Sequence, residues 1–274
     1  MYKYKIVASD LDGTLLDNNS MLSEENKAAI AELDKKGVFF VPSTGRTYSE
    51  LLPELKDNEH IRFIMYTNGS VIHDKLTGEH ITNYMDSSLA AEVYELLCEY
   101  DTNITVRSGG KFYIDADKTR DDDAEHYAFT PAHINVLANY AIPVHNFSEW
   151  LRTAPAIEDF SIYFGTCEEF FDGCKRLDAD SRLKLAKFPP KGLEIFSVNA
   201  GKGRALHLLA DKLGIPHEET IAVGDSLNDF TMIEAAGLGL TVSNACDDLK
   251  TVSSEVICSN EEHAIKYLHE HYFN

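Results

Sequence analysis

Tyr4-Lys5-Ile6-Val7-Ala8-Ser9-Asp10-Leu11-Asp12-Gly13-Thr14 is the stretch that decides the fold. Ile6, Val7 and Ala8 make a short apolar run, so Tyr4 to Leu11 reads as a buried strand. The two carboxylates fall where that run ends. In an open parallel sheet, ligands bind beyond the carboxyl ends of the strands. A turn begun at Gly13 could bring both carboxylates toward one site. Such a pair can divide labour. One ionised carboxylate attacks phosphorus, while the other, kept protonated by its charged neighbour, gives a proton to the leaving oxygen. An isolated Asp-x-Asp is more often a solvated turn; the full string directly behind a buried strand favours chemistry.

Outward from this strand, Ser23 opens a helical pattern through Ala29, Ile30 and Leu33, and Gly37 sits where a helix end wants it. Val38 to Val41 reads as a second strand, Leu51, Leu52 and Leu55 as a short amphipathic helix, and Phe63 to Tyr66 as a third strand closed by Asn68-Gly69. Strands alternating with helices indicate a parallel α/β sheet. The pattern returns late, with helices over Ala205–Leu213, Asp229–Ala236 and Glu261–His271 and strands over Thr220–Val223, Leu238–Val242 and Glu255–Cys258. Between the halves, helix-strand-strand occurs twice: Ser88–Tyr100 with Ile104–Arg107 and Phe112–Ile114, and Glu168–Leu177 with Leu183–Lys187 and Leu193–Val198. The acidic run Asp121-Asp122-Asp123 reads as a solvated loop, followed by an irregular stretch through Trp150. The expectation is a Rossmann-like parallel α/β core, residues 1–82 and 199–274, interrupted by an inserted α+β domain, 83–198.

The chain has 274 residues, 44% of them hydrophobic, enough to bury a core without staples. Its formal net charge is −20, from 25 basic and 45 acidic residues. That charge argues against nucleic acid and anionic membranes as partners, and any phosphate site here needs its own local positive charge. The five cysteines are scattered, with no CxxC pair, which argues against a disulfide framework or zinc and favours a reducing cytoplasm. The start, Met1-Tyr2-Lys3-Tyr4-Lys5, is expected not to be a signal peptide, and no apolar run is long enough to span a membrane.

Three more segments carry chemistry. Gly224-Asp225-Ser226-Leu227-Asn228-Asp229 follows the buried strand Ile221-Ala222-Val223. Mg²⁺ takes one or two protein carboxylates plus waters and phosphate oxygens, and Asp225 could complete a site begun by Asp10. Asn228 and Asp229 would then position water or the loop, although Asp229 reads equally well as a helix N-cap. Ser43-Thr44-Gly45-Arg46 follows the second strand; a hydroxyl and backbone N–H groups at a helix N-terminus form an anion cradle, from which Arg46 could reach phosphate. Alone, Thr44 reads equally as an N-cap and Arg46 as a surface cation. Lys202, in Gly201-Lys202-Gly203, opens a helix and can reach a phosphate as a compact charge, although a lone lysine there is more often solvated. Together the four segments supply nucleophile, acid/base, cation ligand and oxyanion stabiliser.

These motifs resemble those of the haloacid dehalogenase-like phosphatases, specifically the Cof-type members with a large inserted cap. The resemblance implies Asp10 as nucleophile, Asp12 as acid/base, and Thr44 with Gly45 and Arg46 as the phosphoryl-binding segment. It implies Lys202 as the third motif, Asp225 as a Mg²⁺ ligand beside Asp10 and the backbone carbonyl of Asp12, and Asn228 near the phosphate. Asn68-Gly69-Ser70 departs mildly from the family's more frequent Asn-Gly-Ala. The substrates implied are small phosphorylated metabolites: sugar phosphates, flavin mononucleotide or pyridoxal phosphate. The competing readings are a phosphomutase, a receiver-like phospho-acceptor and a catalytically quiet binding protein. Chain length and Asp12, which gives a route for hydrolysing a phospho-aspartate, argue against the receiver.

Overall fold

The computed structural model describes every residue except Met1, Pro155 and Pro189, so the first residue of the expected non-signal start lies outside the described residues. The chain divides into two compact units, one made of Met1–Gly45, Leu51–Thr82 and Gly201–Asn274, the other of Arg46–Glu50 and Asn83–Ala200.

The first unit begins with β1 (Ile6–Ser9), α1 (Glu24–Lys35), β2 (Phe39–Pro42), α2 (Pro53–Lys56), β3 (Phe63–Tyr66), β4 (Val71–Asp74) and β5 (His80–Thr82). All four residues of β1 are buried, as a strand covered on both faces requires. The Ser23 hydroxyl caps α1 by accepting from the Asn26 N–H, and Gly37 ends it with φ +71.

Phe63–Tyr66 is a strand but not a rung of the parallel ladder. β3 pairs antiparallel with β4, which pairs with β5, in a separate three-stranded sheet. Just beyond β2, Ser43 makes an isolated parallel bridge with Met65, and Phe39 of β2 packs edge to face on Phe63 of β3. Pro42 closes β2 without an N–H to extend the ladder, and the hairpin partner β4 satisfies β3 instead.

The second unit holds α3 (Ser87–Leu97), β6 (Thr102–Ser108), β7 (Lys111–Asp115), α4 (Asp123–His126), α5 (Pro131–Tyr140), β8 (Ala141–Val144), α6 (Phe147–Thr153), β9 (Ile157–Phe164), α7 (Cys167–Asp178), β10 (Leu183–Phe188) and β11 (Gly192–Ser197). Its six strands run in the order β10-β11-β9-β6-β7-β8. Residues of α3, α6 and α7 share one apolar core with Ile104, Val106, Phe160, Ile162 and Leu193 of the sheet. The stretch read as irregular contains α5 and α6, and the sheet's central strand β9 went unread. Glu158, Asp159 and Ser161 make β9 look like a loop. They are buried because the Arg107 Nη1 donates to both Asp159 oxygens at 3.1 and 2.9 Å and the Gly110 N–H donates to Glu158. The acidic run is only partly solvated: Asp123 is buried and accepts from the Asn103 amide and the Arg120 N–H.

The chain returns to the first unit with α8 (Lys202–Leu213), β12 (Thr220–Gly224), α9 (Phe230–Ala235), β13 (Leu238–Val242), α10 (Asp247–Val252), β14 (Glu255–Ile257) and α11 (Ala264–Tyr272). The five-stranded sheet has the order β14-β13-β12-β1-β2, with every pairing parallel. Ser9 stands level with Val223 on one side and Pro42 on the other. The carboxyl ends of β2, β1 and β12 therefore lie side by side. No helix among the described residues is long and apolar enough to cross a membrane.

Candidate active site

Asp10 leaves β1 with its N–H still on the sheet, donating to the Val223 carbonyl at 3.0 Å. The chain then makes a wide turn over Leu11–Leu15, in which Asp12 is extended (φ −74, ψ 118) and Gly13 is left-handed (φ 77). A Cβ on Gly13 would stand 2.7 Å from Asp225 Oδ2, so glycine is required there for both backbone and space. The Asn244 amide donates to the Gly13 carbonyl at 2.8 Å, and the Thr14 hydroxyl donates to Asp225 Oδ1 at 3.2 Å. Two loops distant in sequence thus hold the turn against β12. Asp10 is buried and the Asp12 side chain is exposed.

Lys202 has no exposed surface. Its ammonium donates to Asp10 Oδ1 and to Asp229 Oδ1, each at 2.6 Å, so it is not the solvated lysine its isolated sequence would suggest. Two glycines permit this. A Cβ on Gly203 would stand 2.1 Å from the Thr231 carbonyl oxygen, so α8 can lie flush against α9. A Cβ on Gly224 would strike Asp229, which folds back under its own loop. Asp229 Oδ2 accepts the N–H groups of Asp225 and Ser226 at 3.1 and 3.2 Å. Asp229 stands at the N-cap position of α9 but its side chain makes no cap bond there; it ties the 224–229 loop to Lys202 instead. Among the described residues, Asp10, Asp225 and Asp229 form one carboxylate cluster, each offering an oxygen within 4.8 Å of the others'. The Asp12 side chain is not in it.

Thr44 follows β2 and is buried, its N–H donating to the Met65 carbonyl at 3.0 Å. No helix begins there. Residues 47–50 form a turn, with the Thr47 N–H on the Glu50 carboxylate, and the next helix waits for Pro53. The cradle expected at a helix N-terminus is instead a loop. Arg46 groups with the second unit and its guanidinium donates to the Glu50 carbonyl. Asn228 lies in the first unit, its amide donating to Asn68 Oδ1 at 3.2 Å while its own oxygen accepts from the Ser226 hydroxyl.

The model of the haloacid dehalogenase-like hydrolase family matches residues 7–268. The chain belongs to the haloacid dehalogenase-like hydrolases. It is 31% identical to phosphatase YwpJ of Bacillus subtilis, over 97% of this chain and 99% of that protein. It is 30% identical to the 5-amino-6-(5-phospho-D-ribitylamino)uracil phosphatase YcsE of the same organism, over 95% and 92%. A haloacid dehalogenase-like hydrolase structure from B. subtilis superposes with a TM-score of 0.82 at 29% identity, covering 97% of this chain and 99% of that one. The family expected from the motifs, with its parallel-sheet core and inserted α+β unit, is the family found.

In this haloacid dehalogenase-like site the electrostatics are poised around one cation. Burial, then the charges of Asp229 and Asp225, drive the Asp10 carboxyl well above the usual carboxylate range, against the pull of Lys202. Burial and Asp229 push Asp225 up to about 6. Burial works against the Lys202 charge, but Asp10 and Asp229 outweigh it and hold the ammonium above the ordinary lysine range. Three carboxylates thus face one ammonium. Asp10, Asp225 and Asp229 each offer an oxygen within 4.8 Å of the others', so their charges repel one another, and a second cation against them would relieve that repulsion. These hard oxygen donors fit Mg²⁺. Both oxygens of Asp229 are taken by Lys202 and the loop amides, which leaves Asp10 and Asp225 as the carboxylates suited to hold it.

Asn68 reads in the sequence as a strand terminator and as the start of Asn68-Gly69-Ser70, with no role in the site. The one available signal was Asn-Gly directly after an apolar strand.

Proposed function

We propose that the chain is a Mg²⁺-dependent phosphatase of small phosphorylated metabolites that works through an aspartyl-phosphate on Asp10. The observation that carries this reading is the fully buried Lys202 held between Asp10 and Asp229 beside Asp225, beyond the carboxyl ends of β1 and β12. A structural ion pair gains nothing from a third carboxylate at that distance, whereas phosphoryl transfer needs a nucleophile, fixed positive charge and a cation seat together.

In the first step an Asp10 oxygen bonds phosphorus as the bond to the leaving oxygen breaks, and that oxygen takes the proton of Asp12. In the second step water attacks phosphorus, Asp12 takes its proton, and inorganic phosphate and the Asp10 carboxylate are released. Lys202 opposes the effect of burial on Asp10 and, with Thr44 and the Gly45 N–H, balances charge on the phosphoryl oxygens. Mg²⁺, held by Asp10, Asp225 and the Asp12 carbonyl, would supply Lewis-acid stabilisation of the phosphoryl group. Asp229 supports Lys202, and Asn228 contacts the phosphate. Residues 83–198 set the choice of leaving group, and Arg46 binds phosphate or substrate. The name of YcsE supports substrates in the class of small phosphorylated metabolites. The five unpaired cysteines support a cytoplasmic setting.

The test is turnover of p-nitrophenyl phosphate with Mg²⁺. Multiple turnovers, lost with EDTA and in Asp10→Asn, are expected; wild-type rates in purified Asp10→Asn would refute the covalent route. Stoichiometric phosphorylation without turnover would favour the receiver-like reading, and activity only with a bisphosphate primer would favour a mutase.

A further inference from the structure

The turn Thr67-Asn68-Gly69 has positive φ at three successive residues, +48, +49 and +80. A β-branched threonine in the left-handed region is an outlier, and backbone of this kind persists only where the surroundings over-determine it. Three elements do so here. The Asn68 N–H donates to the Thr44 carbonyl at 2.9 Å. The Asn68 amide packs against Gly45, where an added Cβ would come within 3.3 Å of Asn68 Oδ1. Gly69 is wedged against the first turn of α8, where a Cβ would stand 2.7 Å from the Gly201 carbonyl oxygen and 2.8 Å from the Ala205 Cβ. From this turn Asn68 Oδ1 accepts the Asn228 amide, whose other end is fixed by Ser226. One buried side chain thus touches the loop after β2 and the loop after β12, and its turn braces the helix that carries Lys202.

We infer that Asn68 is a positioning residue that holds Thr44–Gly45 and Asn228 at the spacing of a single phosphoryl group. This rests on the phosphatase reading for its ligand and assigns Asn68 no contact with the reacting atoms. Asn68 acts through Asn228, by pointing the Asn228 amide, and through the Thr44–Gly45 loop, by packing against Gly45 and holding the Thr44 carbonyl. Asparagine suits the place because it tolerates the left-handed backbone and offers an acceptor.

The test is a double-mutant cycle of Asn68→Gly and Asn228→Ala. Glycine keeps the left-handed backbone and removes only the side chain, and Asn68→Ser serves as a second variant with a shorter polar group. The cycle is run on kcat/KM for p-nitrophenyl phosphate and, separately, on the affinity for inorganic phosphate with Mg²⁺ by calorimetry. Asn68→Gly is expected to lose roughly a hundredfold in kcat/KM, with Asn68→Ser between it and wild type. In the Asn68→Gly background, Asn228→Ala is expected to cost much less than it does alone, with the same coupling in phosphate affinity. Wild-type kcat/KM in Asn68→Gly, or fully additive losses, would overturn the inference. A wild type that binds phosphate but never turns over would instead sink the phosphatase reading, and the calorimetric cycle would still decide the role of Asn68.

Discussion

Replacing Asp225 by Asn should make the metal-free protein more stable at neutral pH, although it removes a residue of the site. The carboxyl, ordinarily near 3.8, is pushed up to about 6 by burial and then by Asp229, against the Thr14 hydrogen bond and the Lys202 charge. Folding raises this pKa, so the group's contribution is fully present below 3.8 and is lost as pH rises through about 6. Above that, holding Asp225 ionised in place costs about 3 kcal/mol. Asparagine keeps an oxygen for Thr14 and nearly the same shape without the charge. In EDTA, Asp225→Asn should therefore exceed wild type by up to about 3 kcal/mol at pH 8, shrinking below about 1 kcal/mol near pH 4. Added Mg²⁺ should close the gap from the other side, because wild type gains about 2.7 kcal/mol at a free ion concentration one hundredfold above its Kd and the variant gains little. The assay is urea unfolding at several pH values with and without Mg²⁺. A variant less stable than wild type at pH 8 in EDTA, or a gap that stays flat from pH 4 to pH 8, would refute the electrostatic account.

Two further outcomes follow from the same cluster. Lys202→Met removes the ammonium shared by Asp10 and Asp229 and leaves buried carboxylates uncompensated, so stability should fall by about 3–5 kcal/mol. Losing the lysine raises the Asp10 pKa further, so this loss should be larger at pH 8 than at pH 5. Denaturant midpoints at the two pH values check it, and a pH-independent loss would point to packing alone. Asp12→Asn should slow hydrolysis of alkyl phosphates far more than that of p-nitrophenyl phosphate, whose leaving group needs little protonation. Equal losses across a series of leaving groups would remove Asp12 from the acid role.

Sequence alone determined the local grammar of the core. Ile6-Val7-Ala8 and Ile221-Ala222-Val223 are apolar runs too short for anything but buried strands, and carboxylates at their ends mark where a parallel sheet presents its chemistry. Helix α1 followed from its period and from Ser23 and Gly37 at its ends, whereas α10 is not legible in the sequence pattern. What only tertiary structure decided are the contacts between residues far apart in the chain. Lys202 reads as a surface lysine until it is placed 2.6 Å from Asp10, 192 positions earlier. Asp229 reads as a helix cap until Lys202 and two loop amides claim both its oxygens. Glu158 and Asp159 read as loop until the Gly110 N–H and the Arg107 guanidinium satisfy them inside β9. Asn68 reads as a strand terminator until its amide meets Asn228, 160 positions on. Periodicity measures the burial of apolar side chains along one element. It carries no signal for a buried polar group, whose place is set by a partner that another part of the chain provides.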